Sequence, residues 1–294
     1  MTLAHYIHAV GAGARRARAL TRDEAREAMT LVTAGGADPA QIGAFLLALR
    51  MKGETAEELA GFTDAVTPLA SRIAAPAGTL LVDAHADGHQ GTASVLASAA
   101  CVSAALGVPV LLGVLADDPF AKHGLEASLG AIGLSGPLDP ARAARELATA
   151  GVAALDLRLV CPPLHRLVAL RPLLGVRTAA HTIAKLLSPL APGPHLVGVF
   201  HAPYLEVTCR ALALSGAPAG AVIQQLGGLP EATPGKRLRL ARVPDAQPTA
   251  IEIPACPIDD PILARTAATA ALFLHATGAG FATALAATTA ALTR

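Results

Sequence analysis

Three helix-start signals fall at regular intervals between residues 20 and 66 of this 294-residue chain, and they leave that stretch little to become except a compact helical module. Thr21 and Glu24 form a capping box, Thr55 and Glu58 form another, and Asp38 before Pro39 sets an N-cap residue ahead of a proline at the first helical position. Each helix begins where its leading backbone N–H groups find acceptors. Gly35-Gly36 and Gly53 supply the stops, while Ile42, Phe45, Leu46 and Leu49 recur on one buried face. The spacing predicts helices of about 12 to 15 residues.

Beyond the module, a Pro/Gly-containing linker at residues 74–78 marks a domain boundary, and a short apolar run over 79–83 reads as a buried strand. Helical patterns over 92–106, 125–132 and 140–150 then alternate with strand patterns over 108–113 and 152–160. Such alternation argues a mostly parallel sheet with helices on its faces. Pro162-Pro163 interrupts it before two more helices, near 164–170 and 178–187. Strand patterns resume over 196–200 and 220–223 around a helix over 203–214; two extended runs cover 236–253, and the rest reads as helical with Gly278 and Gly280 dividing it. The fold class expected is a two-domain α/β protein with a small helical domain.

Composition narrows the function. Lys and Arg number 23 against 22 Asp and Glu, so a net charge of +1 provides no global field for nucleic acid or anionic membrane. Hydrophobic residues reach 53%, yet Gly, Pro or charge breaks every apolar run before the roughly 18 residues a membrane span requires. Cys101, Cys161, Cys209 and Cys256 lie far apart, and the N-terminus lacks a signal-peptide pattern, so a soluble protein of the reducing cytoplasm is expected.

The run Leu20-Thr21, Gln41-Ile42-Gly43-Ala44-Phe45 and Ala48-Leu49-Arg50-Met51-Lys52-Gly53-Glu54-Thr55 resembles the helical domain of the anthranilate phosphoribosyltransferase family, or glycosyltransferase family 3. The resemblance implies a discontinuous helical domain, 1–74 joined by about 162–190, beside an α/β domain of 79–161 and 191–294. It also implies a homodimer formed through the helical domain. Within the family, the substitutions in Ala180-His181-Thr182-Ile183-Ala184-Lys185 and in His201-Ala202-Pro203-Tyr204 resemble a divergent DNA-binding paralogue branch.

Active members hold the pyrophosphate of phosphoribosyl pyrophosphate on a loop Gly-Thr-Gly-Gly-Asp after the first strand of the large domain. Glycine amides and a helix N-terminus suit phosphate oxygens there. In this chain the corresponding donor loop reads Asp83-Ala84-His85-Ala86-Asp87-Gly88-His89-Gln90-Gly91-Thr92, in which Gly88 and Gly91 remain and Asp87 opposes a diphosphate. The family's Lys-His-Gly-Asn-Arg element is replaced by Leu112-Gly113-Val114-Leu115-Ala116, and Lys122 falls in a later loop that carries a lysine in the family. The metal-binding Asp-Glu pair becomes Pro230-Glu231, leaving Glu231 as a relic of the Mg²⁺ site. No cofactor is expected, and Mg²⁺ only if a transferase with a rebuilt donor site operates.

On the acceptor side, Arg171 matches the arginine that meets the anthranilate carboxylate in active enzymes. With Arg177, His181 and Lys185 it should line a cleft between the domains, where these groups bind an anion unless Asp or Glu from the large domain already neutralises them. Protonation of His181 is expected to strengthen that binding below about pH 6.5. Asp83, His85, Asp87 and His89 alternate along the chain and offer a metal-ligand pattern as an alternative to a polar strand-end loop. The basic run Lys236, Arg237, Arg239 and Arg242 is a further cationic candidate. The expected function is a divergent family member, with anthranilate transfer lost, that binds nucleic acid or another phosphate-bearing ligand; an active transferase is the alternative.

Overall fold

The computed structural model describes residues 2–13, 15–88, 93–116, 119–121 and 125–293. Chain order begins with helices α1 (Leu3–Gly11), α2 (Arg22–Thr33), α3 (Pro39–Lys52) and α4 (Ala56–Val66). Both capping boxes form: Thr21 and Thr55 accept from the backbone N–H of Glu24 and Glu58, whose carboxylates accept in return from the N–H of Thr21 and Thr55. Asp38 caps α3 through the N–H of Ala40, and Gly53 closes that helix. Phe45 meets Phe62 edge to face with centroids 6.1 Å apart, and Met29, Leu49 and Leu59 fill the space around them. Helix α4 lies so close to α2 that a Cβ on Gly61 would stand 2.2 Å from the Arg22 carbonyl oxygen. Only glycine fits there.

The remaining elements are β1 (Leu80–Asp83), α5 (Leu96–Ala105), β2 (Val110–Val114), α6 (Leu125–Ala131), α7 (Pro140–Ala150), β3 (Val152–Asp156), α8 (Leu157–Val160), α9 (Pro162–Val168), α10 (Arg171–Leu174), α11 (Ala179–Leu186), β4 (His195–Val199), α12 (Pro203–Leu214), β5 (Gly220–Gln224), β6 (Arg237–Arg242), β7 (Thr249–Glu252), α13 (Pro261–Ala276) and α14 (Phe281–Leu292). Seven strands form one sheet in the order β3-β2-β1-β4-β5-β6-β7, parallel as far as β5 and antiparallel over its last two pairs. Alternate strand residues serve two cores. Leu81, Leu111, Leu155, Val197 and Val222 pack toward the helical module, α11 and α12, whereas Leu80, Val82, Leu112, Leu196 and Ile223 face α5, α13 and α14. Burial on both sides explains why these strands read as continuous apolar runs.

Two expected elements end differently. The strand expected over 152–160 stops at Asp156, because the Asp156 carboxylate accepts from the N–H of Arg158 and turns the chain into α8. The helix expected from residue 92 begins at Leu96, where Glu231 and Ser94 satisfy its first amides. Both outcomes follow from where a backbone N–H finds an oxygen.

Candidate functional site

The strand order places a topological switch between β1 and β4: the chain leaves β1 for β2 on one side and reaches β4 on the other. Crevices outside the carboxyl ends of such neighbouring strands are where open α/β sheets receive ligands. A cavity of about 640 Å³ opens there, walled by Ala86, Asp87 and Gly88 after β1, by Phe200 and His201 after β4, and by Arg171, Arg177, His181 and Lys185 from the segment between β3 and β4. Gly227 and Gly228 close one side. That approach depends on Gly198 in β4, where a Cβ would lie 2.3 Å from the carbonyl oxygen of Gly228.

Arg171, Arg177, His181 and Lys185 all line this cleft. Their charges are met from inside the protein. Arg171 donates through both terminal nitrogens to Asp87, at 2.6 and 2.7 Å, and Arg177 donates through Nη1 to the same carboxylate at 2.7 Å. The Arg171 guanidinium also sits over the Phe120 ring, 3.8 Å from its centroid. Burial opposes ionisation of Asp87, but the two arginines outweigh it and lower its pKa. Lys185 donates to Asp83 and to the Gly198 carbonyl, and His85 Nδ1 lies 2.7 Å from Asp83 Oδ1. Although burial pushes the Asp83 carboxyl up, His85 and Lys185 hold it below the usual range.

His181 behaves contrary to expectation. Burial, reinforced by the positive charges of Arg177 and Arg171 and by His85, pulls its pKa down to about 3, and its Nδ1 accepts from the N–H of Thr178. It caps α11 as a neutral ring and does not become a cation as pH falls through about 6.5. The described members of the metal pattern, Asp83, His85 and Asp87, do not converge, because β1 ends at Asp83 and the chain bends at Ala86. Asp83 and His85 pair with each other beneath the cavity while Asp87 turns to the arginines, and the described residues contain no group of three potential metal ligands. His89, Gly91, Thr92 and Lys122 lie outside the described residues.

Glu231 is fully engaged. One of its oxygens accepts from Ser94 Oγ at 2.7 Å and from the Val95 N–H at 3.0 Å, and the other accepts from Arg265 Nη2 at 2.5 Å. The carboxylate thus caps α5, the helix whose N-terminus follows the donor loop. The basic run on β6 stands apart from the cavity: Arg237 lies 3.7 Å from Glu252, Arg239 donates to Gln224, and Arg242 contacts His275.

Sequence reasoning missed the wall contributed by the helical module. Tyr204 of α12 donates to Glu54, which with Arg50 lines the cavity opposite the arginines. Burial and the neighbouring Glu54 raise the Tyr204 pKa. The signal available was a Tyr in a chain holding only 2, within the His201-Ala202-Pro203-Tyr204 motif.

The helical bundle and the parallel sheet with its switch-point cleft define a two-domain glycosyltransferase architecture. A family profile described as "Glycosyl transferase family, helical bundle domain" matches residues 4–67. The chain is 36% identical over 224 residues to an anthranilate phosphoribosyltransferase of Methylobacterium radiotolerans, covering 73% of this chain and 62% of that one. It is 31% identical over 241 residues to the enzyme of that name from Rhodospirillum rubrum, covering 79% and 67%. The chain belongs to the anthranilate phosphoribosyltransferase family. It spans less than two thirds of the length of the Methylobacterium relative.

Solved structures agree on the fold. Anthranilate phosphoribosyltransferase from Thermus thermophilus superposes with a TM-score of 0.82 at 22% identity, covering 98% of this chain and 94% of that one. The Saccharomyces cerevisiae enzyme in complex with PRPP and Mg gives 0.78 at 15% identity, covering 99% and 93%.

Proposed function

We propose that this protein is a divergent family member that binds a phosphate-bearing small molecule in the cleft at the β1–β4 switch and has lost Mg²⁺-dependent transfer from phosphoribosyl pyrophosphate. The observation that carries the second half is the Glu231 carboxylate. Three donors hold its two oxygens, and Pro230 stands where the family has its other acid. A hard cation bridging a diphosphate needs open oxygen ligands, so these residues do not fit Mg²⁺. An ion there would have to displace Arg265 and uncap α5.

Support for a phosphate ligand comes from the cavity wall. Arg50, Arg171, Arg177 and Lys185 line it together with Glu54 and Asp87, and Asp83 pairs with Lys185, leaving one positive charge in excess. Arg177 commits one N–H to Asp87 and, among the described residues, leaves its Nε and Nη2 without a partner. Nucleic acid is the less supported ligand, since the β6 cations already contact Glu252, Gln224 and His275.

We further propose a homodimer through the helical module. Met51 and Leu173 are 85% and 83% exposed, Leu47 adds to the same apolar face, and Leu174 packs on Gly43 to bring α10 beside α3. Light scattering of the wild type and of Met51→Glu tests this: a monomer at micromolar concentration in the wild type removes it.

Thermal shift with inorganic phosphate, nucleotides, single-stranded DNA, and phosphoribosyl pyrophosphate with and without Mg²⁺ tests the ligand class, since binding to the native state raises the melting temperature by mass action. The expected result is stabilisation by nucleotides irrespective of Mg²⁺. Stabilisation by the donor only with Mg²⁺, or consumption of anthranilate at about 1 per second, an ordinary enzymatic rate, restores the transferase reading.

A further inference from the structure

We infer that Asp87 is a built-in competitor, an internal anion seated on Arg171 and Arg177 that restricts the cleft to ligands carrying a doubly charged phosphate and turns away singly charged carboxylates. The inference rests on the reading of the cleft as a phosphate site and assigns its selectivity.

The seat is well formed. Asp87 accepts three charge-assisted hydrogen bonds, two from Arg171 and one from Arg177, all within 2.7 Å. Bidentate pairing of this kind is the geometry an external carboxylate would adopt on the same guanidinium. The backbone on either side is pinned, Ala84 N–H to the Gly113 carbonyl and Gly88 N–H to the Gly227 carbonyl, so the carboxylate is held ready at the arginines. Its side chain nevertheless keeps 33% of its surface exposed, and rotation toward the cavity can clear the seat without moving the strand end.

An incoming monocarboxylate presents the same two oxygens and the same single charge as Asp87. Exchange brings no new hydrogen bond, and the free ligand competes with a tethered group whose effective concentration is on the order of millimolar or higher. A phosphate monoester carries roughly −1.5 to −2 charge at neutral pH and three acceptor oxygens. It can take the three donors Asp87 releases and in addition engage Nε and Nη2 of Arg177, which have no partner among the described residues. Only the second ligand gains by the exchange.

Calorimetry at pH 7.5 with phenyl phosphate and benzoate, which share a ring and differ in the anion, separates the possibilities. Wild type should bind phenyl phosphate at least tenfold more tightly than benzoate. Asp87→Asn, which keeps the shape and removes the charge, should tighten benzoate at least tenfold and narrow the difference to about threefold. Unchanged benzoate affinity in Asp87→Asn overturns the inference, and so does equal binding of the two ligands by wild type, a result that needs no variant.

If phenyl phosphate binds wild type and Arg177→Ala abolishes it while Asp87→Asn changes nothing, the phosphate reading stands and the competitor falls. If wild type binds neither ligand and Asp87→Asn binds both, Asp87 does exclude anions and the phosphate reading falls. Failure of a folded Asp87→Asn to bind either removes both. Asp87→Ser, with the same expected outcomes, substitutes if the amide variant does not fold.

Discussion

The helical module and the floor of the cleft both bury a carboxylate beside a lysine, with different results. In the module Glu58 is fully buried, yet two of its donors are backbone amides, Leu20 N–H and Thr55 N–H, each 2.9 Å away, with Lys52 completing the set at 2.8 Å. At the cleft Asp83 depends chiefly on side chains, Lys185 and His85, and Asp87 wholly so. Amides fixed by a helix start do not move or titrate, so Glu58 is part of the scaffold. Side chains can rotate, exchange partners and change charge, which is what a binding site requires.

Removing the lysine from each pair tests the contrast most severely. Lys185→Met strands Asp83, 3% exposed, without its cation and should cost about 3–5 kcal/mol in urea unfolding. Lys52→Met leaves Glu58 its amides and should cost about 1.5–3 kcal/mol. Equal losses would erase the distinction between the two regions.

Acid should weaken the cleft before the module. Burial holds His181 and His195 neutral in the fold, with pKa values of about 3 and about 4 against an unfolded value of about 6.5. The unfolded chain therefore takes up protons that the fold refuses, so this stability is present above pH 6.5 and falls as pH drops toward 4 and below. Glu24 in the module is held down to about 2, first by its hydrogen bond with Arg18, and its contribution is lost only as pH falls from the usual carboxylate range through that value. Amide exchange, corrected for intrinsic rates, should show α11 losing protection between pH 6.5 and 4.5 while α2 keeps it. Loss of both together contradicts the comparison.

Smaller effects belong to the scaffold alone. Gly61→Ala drives a methyl group into the Arg22 carbonyl and should destabilise by about 1–3 kcal/mol. Thr21→Ala removes one half of a capping box and should cost about 1 kcal/mol. Neither should alter affinity for phenyl phosphate by more than about twofold in calorimetry. A larger change would mean that the module tunes the cleft through Glu54 and Tyr204.

What the sequence determined by itself is the scaffold: the starts of α2, α3 and α4 and the alternation that builds a parallel sheet. Those features are local, since a capping box spans a single helical turn and an apolar strand announces its own burial. Only the tertiary structure decided what the charged groups do. Asp87 meets its arginines across 84 and 90 positions, and Glu231 reaches Ser94 across 137. The pKa of His181 is set by burial and by neighbours on three different segments. The partner of a carboxylate is chosen by which strand ends the sheet order brings together, and no local pattern encodes that order.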